Sequence, residues 1–422
     1  MSRVSEAAGP RLGLGANARQ FWLLVAVNAF VGAMVGLERD VLPLVGERVF
    51  ALASQSAVVS FIVSFGIAKA LTNLVAGRSA DRIGRKPLLV AGWLVALPIP
   101  FLLMFAPNWG WIVFANVLLG INQGLCWSMT VVMKIDLVGP KRRGFAMGLN
   151  EFAGYLAVGL AAFASGAIAT TWGLRPWPFA LGIVFTLVGL TLSAIFVRET
   201  RDFARAEALA TNANVTSTES FGALFARVSW RDRTLGAVSQ AGLVNNLNDG
   251  LVWGIVPLYL ATSGLAIERI AIVAALYPAT WGLLQIATGT LSDRIGRKPL
   301  IVTGMLVQGI AIALFTVRGN FPIALLAAVA LGTGTALVYP TLLAAIADVT
   351  ALAVRASAIG IYRLWRDGGY AIGALVSGAI ADALGRSSAI LAVAILTAAS
   401  GFFVAARMRE THAHARRVTS PA

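Results

Sequence analysis

Twelve apolar runs, each about as long as a bilayer is thick, set the limits on what this chain can fold into. They fall at residues 20–45, 51–76, 88–106, 110–133, 144–171, 177–197, 234–261, 266–288, 300–317, 321–347, 356–383 and 387–406. A helix needs about 20 apolar residues to cross the hydrocarbon. Gly and Pro within such runs are tolerated, because neighbouring helices satisfy the freed backbone groups. Composition agrees: 58% of the 422 residues are hydrophobic and 13% are charged, against about 25% charged in soluble domains. Water would meet too much apolar surface on such a chain, whereas lipid is a suitable solvent for it. The expected fold class is an all-α membrane protein with twelve transmembrane helices.

The formal net charge of +15 invites a nucleic-acid reading, and the placement of the charges argues against it. Basic residues gather at Arg78–Lys86, Lys141–Arg143, Arg198–Arg233, Arg294–Lys298 and Arg407–Arg417, each after an even-numbered run. The opposite loops carry few, such as Arg175, Arg318 and Arg386. Basic loops stay on the cytoplasmic side, so both termini and the central loop are expected in the cytoplasm. The resulting map is a tail (1–19), a six-helix bundle (20–197), a polar linker (198–233), a second bundle (234–406) and a tail (407–422). The first 19 residues hold Arg3, Arg11 and Arg19 and no short apolar core with a cleavage site, so they read as a tail rather than a signal peptide. The lone Cys126 excludes a disulfide framework. His412 and His414 lie in the polar tail, and no metal site is expected. With no phosphate-binding Gly-x-x-x-x-Gly-Lys loop and no Ser-His-Asp set, neither an enzyme nor a cofactor is expected.

The chain also repeats itself. Gly77-Arg-Ser-Ala-Asp81-Arg-Ile-Gly-Arg-Lys-Pro87-Leu88 recurs as Gly289-Thr-Leu-Ser-Asp293-Arg-Ile-Gly-Arg-Lys-Pro299-Leu300, an offset of 212 residues (289 − 77). The same offset joins Gly92 to Gly304, Asp136 to Asp348, Gly148 to Gly360, and Ser165–Ala169 to Ser377–Ala381. With a slip of two residues, Gly36-Leu37…Pro43-Leu44 matches Gly250-Leu251…Pro257-Leu258. One offset over four helix pairs means that a six-helix unit was duplicated, and an even helix count keeps the two copies parallel in the membrane.

The twice-repeated Gly-x-x-x-Asp-Arg-x-Gly-Arg-Lys loop resembles the signature of the major facilitator superfamily. With twelve spans and a central loop, the resemblance covers nearly the whole chain. It implies two pseudo-symmetric bundles rocking about a midplane site. It also implies a gating charge cluster at Asp81, Arg82, Arg85 and Asp136, and again at Asp293, Arg294, Arg297 and Asp348. A plain topogenic turn is the alternative. Gly77 and Gly84 suit a tight reversal, and Pro87 suits the first turn of the next helix. Many proton-driven drug exporters of this family have an arginine three residues before a Gln-Gly pair. Here the pair is Gln123-Gly124 and the arginine position is Gly120, so that coupling residue is absent.

Charges inside spans are expensive and mark sites. Lys69, Glu151 (beside Asn150), Arg363, Arg366 and Asp367 form an expected polar layer, in which Glu151 and Asp367 face the cations. Helix packing by static ion pairs is the alternative. In run 7, Asn245, Asn246, Asn248 and Asp249, followed by Trp253, are expected to face a cavity, since Asn245, Asn248 and Asp249 share a helix face; interhelical hydrogen bonding is the alternative. Glu38, Arg39 and Asp40 are placed near the far surface, where gating and a solvated helix end are both open. Trp253, Tyr277, Trp281, Tyr339, Trp365 and Tyr370 are candidate lining or packing residues.

The expectation is a secondary transporter of the bacterial inner membrane, working by alternating access as a monomer and exporting a small organic compound on an ion gradient. A proton is the candidate coupling ion. Transport of an inorganic ion or a metal or oxyanion complex is the second reading, and a non-transporting sensor or scaffold the third. The basic cluster favours an anion and the run 7 group a cation, so sequence leaves the substrate open.

Overall fold

The apolar runs become helices in the computed structural model of the chain, which describes residues 12–138, 143–203, 219–350 and 352–411. The first bundle comprises α1 (Ala18–Gly36, continued by Val41–Arg48), α2 (Ser60–Ile83), α3 (Arg85–Ala96, continued by Ile99–Phe105), α4 (Trp109–Val138), α5 (Arg143–Trp172) and α6 (Trp177–Thr191). The second comprises α7 (Arg233–Gly254, continued by Val256–Thr262), α8 (Ile267–Ile295), α9 (Arg297–Leu314), α10 (Phe321–Val349), α11 (Leu352–Leu384) and α12 (Arg386–Arg407). Among the described residues nine spans are long and apolar enough to cross a membrane. The other three, α2, α7 and α11, carry Lys69, Asn245–Asp249 and Arg366–Asp367. Large apolar side chains such as Phe105, Leu160, Ile310 and Ile395 point outward, as a lipid-solvated surface requires.

The duplication seen in sequence is repeated in packing. Pairs α1–α5, α2–α4 and α3–α4 have the counterparts α7–α11, α8–α10 and α9–α10, and the two bundles meet along α2–α11 and α5–α8. The signature loop is shorter than its sequence suggests. Helix α2 runs through Gly77 to Ile83, and the reversal falls on Gly84 alone (φ 111°), as on Gly296 (φ 101°) in the second copy. Only glycine adopts that backbone without strain, so Gly77 is a helical residue and makes no turn.

Helices α1 and α7 break at equivalent places for one reason. Pro43 has no N–H for the carbonyl of Arg39, four residues back, and Pro257 has none for that of Trp253. Each helix therefore resets within the membrane, at residues 37–40 and at Ile255.

Paired carboxylates close the basic end of each bundle. Glu199 accepts the backbone N–H groups of Arg85 and Lys86 at 3.0 Å, and Glu410 accepts those of Arg297 and Lys298 at 2.9 and 3.1 Å. These are the unpaired donors of the first turns of α3 and α9. Partial burial pushes the Glu199 carboxyl up, but donors from Arg85, Lys86, Arg201 and Thr200 outweigh it and hold the group below the usual glutamate value. A depressed carboxylate adds stability above its unfolded pKa and loses it as pH falls through the folded one. Glu199→Ala is expected to cost about 0.5–2 kcal/mol at neutral pH, as lost helix caps do. Thermal unfolding in detergent checks this, and the deficit should shrink as the wild type is titrated below pH 4.5.

Candidate functional site

The spans rich in buried polar residues converge on the seam between the bundles. Lys69 of α2 extends its ammonium among three rings, 5.5 Å from the centre of Phe65, 5.6 Å from Trp127 and 5.2 Å from Tyr370. Trp127 donates at 2.9 Å to Glu151 of α5, which also receives the amide of Asn150 at 3.0 Å. Across the seam, Asp367 of α11 accepts from Asn73 of α2 at 2.6 Å and from its neighbour Arg366 at 3.0 Å. Arg366 donates to the Tyr155 hydroxyl of α5 at 3.1 Å and lies 4.1 Å over the Tyr339 ring. Rings from both bundles continue the wall: Tyr155 lies 3.5 Å from Trp281, Trp281 stacks at 6.0 Å on Tyr277, and Trp253 stacks at 5.5 Å on Tyr370.

The structure thus brings Lys69, Glu151, Arg366 and Asp367 into one seam; Glu151 bonds Trp127 and Asn150 rather than a cation, and the ion pair there, among the described residues, is Arg366 with Asp367. Arg363 is half-buried and makes no hydrogen bond or ion pair among the described residues. Two expectations need correction. Glu38, Arg39 and Asp40 do not lie near a surface: they are 0, 1 and 2% exposed. The second piece of α1 carries the span beyond run 1, on to Arg48. Arg39 lies nine residues inside that end, about 14 Å along a helix. Its guanidinium sits 4.2 Å over the Trp253 ring of the other bundle and 4.8 Å over Phe65, so it belongs to the same seam as Lys69. Glu38 accepts from Asn116 at 3.2 Å, and Asp40 from Ser165 at 3.3 Å.

The second correction concerns α7, where the shared face splits. Gln308 of α9 clamps Asn245 and Asn248 at 3.0 and 2.9 Å, and Thr397 of α12 donates to Asn248 at 2.7 Å. Those amides fasten helices inside the second bundle. Asp249 instead takes the Tyr277 hydroxyl at 2.5 Å, while Asn246 is buried with neither amide atom bonded among the described residues. Gln123 plays the clamping part in the first bundle, donating to the Val31 carbonyl at 2.9 Å. Trp365 leaves the seam, donating to Ser229 at 2.9 Å.

The repeated charge pairs have been placed too. Arg85 meets Asp136 at 3.2 Å and Arg297 meets Asp348 at 3.1 Å, each within its own bundle. Thr200 and Thr411 add bonds to the same acids at 2.8 and 3.1 Å. Arg294 is exposed, and the side chains of Asp81, Arg82 and Asp293 lie outside the described residues, as do His412 and His414. The capping pairs Glu199-Thr200 and Glu410-Thr411 were missed, although Arg198-Glu-Thr and Arg409-Glu-Thr repeat in the sequence.

A further group holds the bundles together at the end away from the basic loops. Asp382 of α11 accepts from the Ser54 and Ser56 hydroxyls at 2.9 and 2.6 Å and from the Ser56 backbone at 3.0 Å. Arg386 of α12 pairs with Glu47 and donates to Gln55 at 2.9 Å. Close packing supports this lock: a Cβ on Gly159 of α5 meets the Ala275 carbonyl of α8 at 2.6 Å.

Known proteins agree with this architecture. Residues 21–238 and 238–421 each match the Major Facilitator Superfamily. The chain belongs to that superfamily. It is 24% identical over 383 residues to the multi-drug resistance efflux pump PmrA of Streptococcus pneumoniae, covering 89% of this chain and 92% of that one. It is 27% identical over 136 residues to the quinolone resistance protein NorA of Staphylococcus aureus, a match spanning 32% of this chain and 35% of NorA. Two solved transporters share the fold. A mutant of the peptide transporter POT, solved in complex with sulfate, aligns with a TM-score of 0.74 at 14% identity over 95% of this chain and 96% of its own. A POT family transporter in complex with 5-aminolevulinic acid gives 0.74 at 14% over 97% and 99%.

That membership places the chain in a superfamily of membrane transporters. The chain's one departure in α4 has a packing cause. A Cβ on Gly120 meets the Phe65 carbonyl of α2 at 2.6 Å and the backbone nitrogen of Lys69 at 3.0 Å. No side chain fits there, and the cation of that neighbourhood comes from Lys69. If the superfamily's rocking motion operates here, the Asp382–Arg386 lock must open once per cycle. Asp382→Asn combined with Arg386→Ala is expected to shift the balance toward opening of this end by tenfold or more, since about 1.4 kcal/mol suffices and bonds to charged groups are worth about 1.5–3. Spin labels at positions 48 and 383 read the change as a longer distance population in double electron–electron resonance.

Proposed function

We propose that the chain is a proton-driven exporter of a small organic compound in a bacterial inner membrane, working by alternating access. The observation carrying this reading is a set of buried acids where the bundles meet. Glu151 and Asp249 each keep one carboxylate oxygen free of any partner among the described residues, open to a proton or a substrate group. Neighbouring Asp367 is tied to both bundles through Asn73 and Arg366. A proton arriving at such an acid changes the charge of the seam just where the bundles must separate. The efflux relatives PmrA and NorA support export. Basic loops on one face support cytoplasmic termini and a cytoplasmic central linker, which makes the locked end periplasmic and the described conformation one closed toward the periplasm. The described lock, core and seam all lie within one chain, and the transporting unit is proposed to be the monomer.

The test is flux in inverted vesicles carrying a pH-sensitive dye, run against a panel of cationic drugs, organic acids and metal or oxyanion salts. A solute-dependent proton signal is expected. Glu151→Gln should reduce it by about 100-fold or more, because a proton carrier cannot be half-replaced, while Asn245→Ala should lower protein stability more than flux. Full proton-coupled flux in Glu151→Gln would remove that residue from the coupling role. A signal with metal or oxyanion salts alone would favour the inorganic reading.

A further inference from the structure

The seam holds the acids Glu38, Asp40, Glu151, Asp249 and Asp367 and the cations Arg39, Lys69 and Arg366, and they are not equally occupied. Each acid holds at least one donor: Glu38 has Asn116, Asp40 has Ser165, Glu151 has Trp127 and Asn150, Asp249 has Tyr277, and Asp367 has Asn73 and Arg366. Among the cations, Arg366 is paired with Asp367. Arg39 is different: it is 1% exposed, yet none of its three guanidinium nitrogens has a hydrogen-bond partner among the described residues. Lys69, 8% exposed, makes no hydrogen bond or ion pair among the described residues. Both cations rest on the same Phe65 ring, and both touch a ring of the other bundle, Trp253 for Arg39 and Tyr370 for Lys69.

Ring faces hold a cation's charge in part and leave its N–H groups unused. Five guanidinium donors in a planar fork, buried and unanswered, are expensive unless something answers them during the working cycle. A carboxylate matches that fork with two parallel bonds. Trp253 and Tyr370, parallel to within 15° and stacked on each other beside it, place aromatic surface within reach of whatever carries the carboxylate.

We infer that Arg39, helped by Lys69, is the anion-binding subsite of this transporter, and that its substrates are small planar organic acids whose carboxylate pairs with Arg39 while their rings lie against Trp253 and Tyr370. The inference rests on the transport reading for its biological meaning, and it chooses between the anion and cation alternatives that the sequence leaves open. The acids then serve the proton, while the two unanswered cations serve the substrate. Arg39 and Lys69 belong to the first bundle and the two rings to the second, so a bound acid touches both.

Binding to the purified full-length protein in detergent tests this without any gradient, which keeps it separate from the question of proton coupling. The probes are 2-naphthoate, its neutral amide 2-naphthamide, and the cation 2-naphthylmethylammonium, measured by isothermal titration calorimetry at pH 7.5. Naphthoate is expected to bind at least ~10-fold more tightly than either analogue, since desolvated charge-assisted bonds discriminate by at least that much. Arg39→Gln should erase the preference, Arg39→Lys should keep part of it, and Lys69→Gln should reduce it less. Monodisperse elution and an unchanged helical signal identify variants that fold; should Arg39→Gln not fold, Arg39→Lys and Lys69→Gln carry the test. Tighter binding of the amide or the ammonium probe overturns the inference, as does a naphthoate preference that survives Arg39→Gln, or no binding by any probe at millimolar concentration. Proton-coupled flux of a cationic drug, together with such a failure, would leave the transporter reading standing and this subsite refuted.

Discussion

A charge placed among hydrocarbon chains has only other protein groups to turn to, and this requirement organises the molecule. Water cannot reach Lys69, Arg39, Glu151 or Asp367 from the lipid side, so the helices that carry them must face one another. The result is a seam between α2, α5, α8 and α11, with α1 and α7 bent into it at Pro43 and Pro257. Apolar faces point outward everywhere else. Because lipid provides little drive for one apolar helix face to bury against another, the amide clamps of Asn245, Asn248 and Gln308, and the close backbone contacts at Gly120 and Gly159, take over the work of specific packing.

The duplicated unit was kept in the scaffold and lost in the seam. Gly84 and Gly296, Arg85 and Arg297, Asp136 and Asp348, Glu199 and Glu410 do the same jobs in each half. Positions at the seam follow the same offset and hold opposites. Lys69 corresponds to Trp281 (281 − 69 = 212), Glu151 to Arg363 and Tyr155 to Asp367, while Arg39 corresponds to Trp253 with the two-residue slip. One equivalent pair meets directly across the two halves: Arg39 lies on Trp253 itself. Symmetric hinges with an asymmetric centre fit a device that alternates between two similar end states while handling a ligand that has no symmetry.

Much of this could be read from the sequence, because lipid makes the pattern strict. Twelve runs, one offset and basic loops on one side leave little freedom in the fold. Lys69, Glu151, Arg366 and Asp367 could be found because each is a charge inside an apolar run. What stayed hidden depends on facing. Asn245 and Asn248 share a helix face with Asp249, and only packing shows that α9 and α12 take the two amides while Tyr277 takes the acid. The depth of Arg39 is hidden because the apolar pattern of run 1 fades at residue 45, whereas the second piece of α1 continues the span through Glu47 and Arg48. Asp382 and Arg386 gave no signal, being ordinary polar residues at a helix junction until the other bundle's Ser54–Ser56 and Glu47 are placed against them.

The distribution of these groups along the seam bears on how a substrate can act on the whole. A ligand shifts a two-state equilibrium only by the difference in its affinity for the two states. Contacts confined to one bundle change little when the bundles rock, and clamps such as Gln308 with Asn245 are of that kind. Contacts that span the seam would change with every stroke of the proposed rocking motion. Arg39 and Lys69 stand on one side of it, Trp253 and Tyr370 on the other, and the bonds of Asn73 to Asp367 and of Tyr155 to Arg366 cross it beside them. A group inserted there meets cations from one bundle and ring faces from the other, next to the hydrogen bonds that must break for the seam to reopen. The lock at Asp382 and Arg386 holds the same two bundles from one end, so occupancy of the centre and closure of that end act on a single rigid-body coordinate. Coupling between them then needs no chain of intermediates, only two bundles stiff enough to move as units, and the capped, clamped and glycine-packed interiors of both halves supply that stiffness.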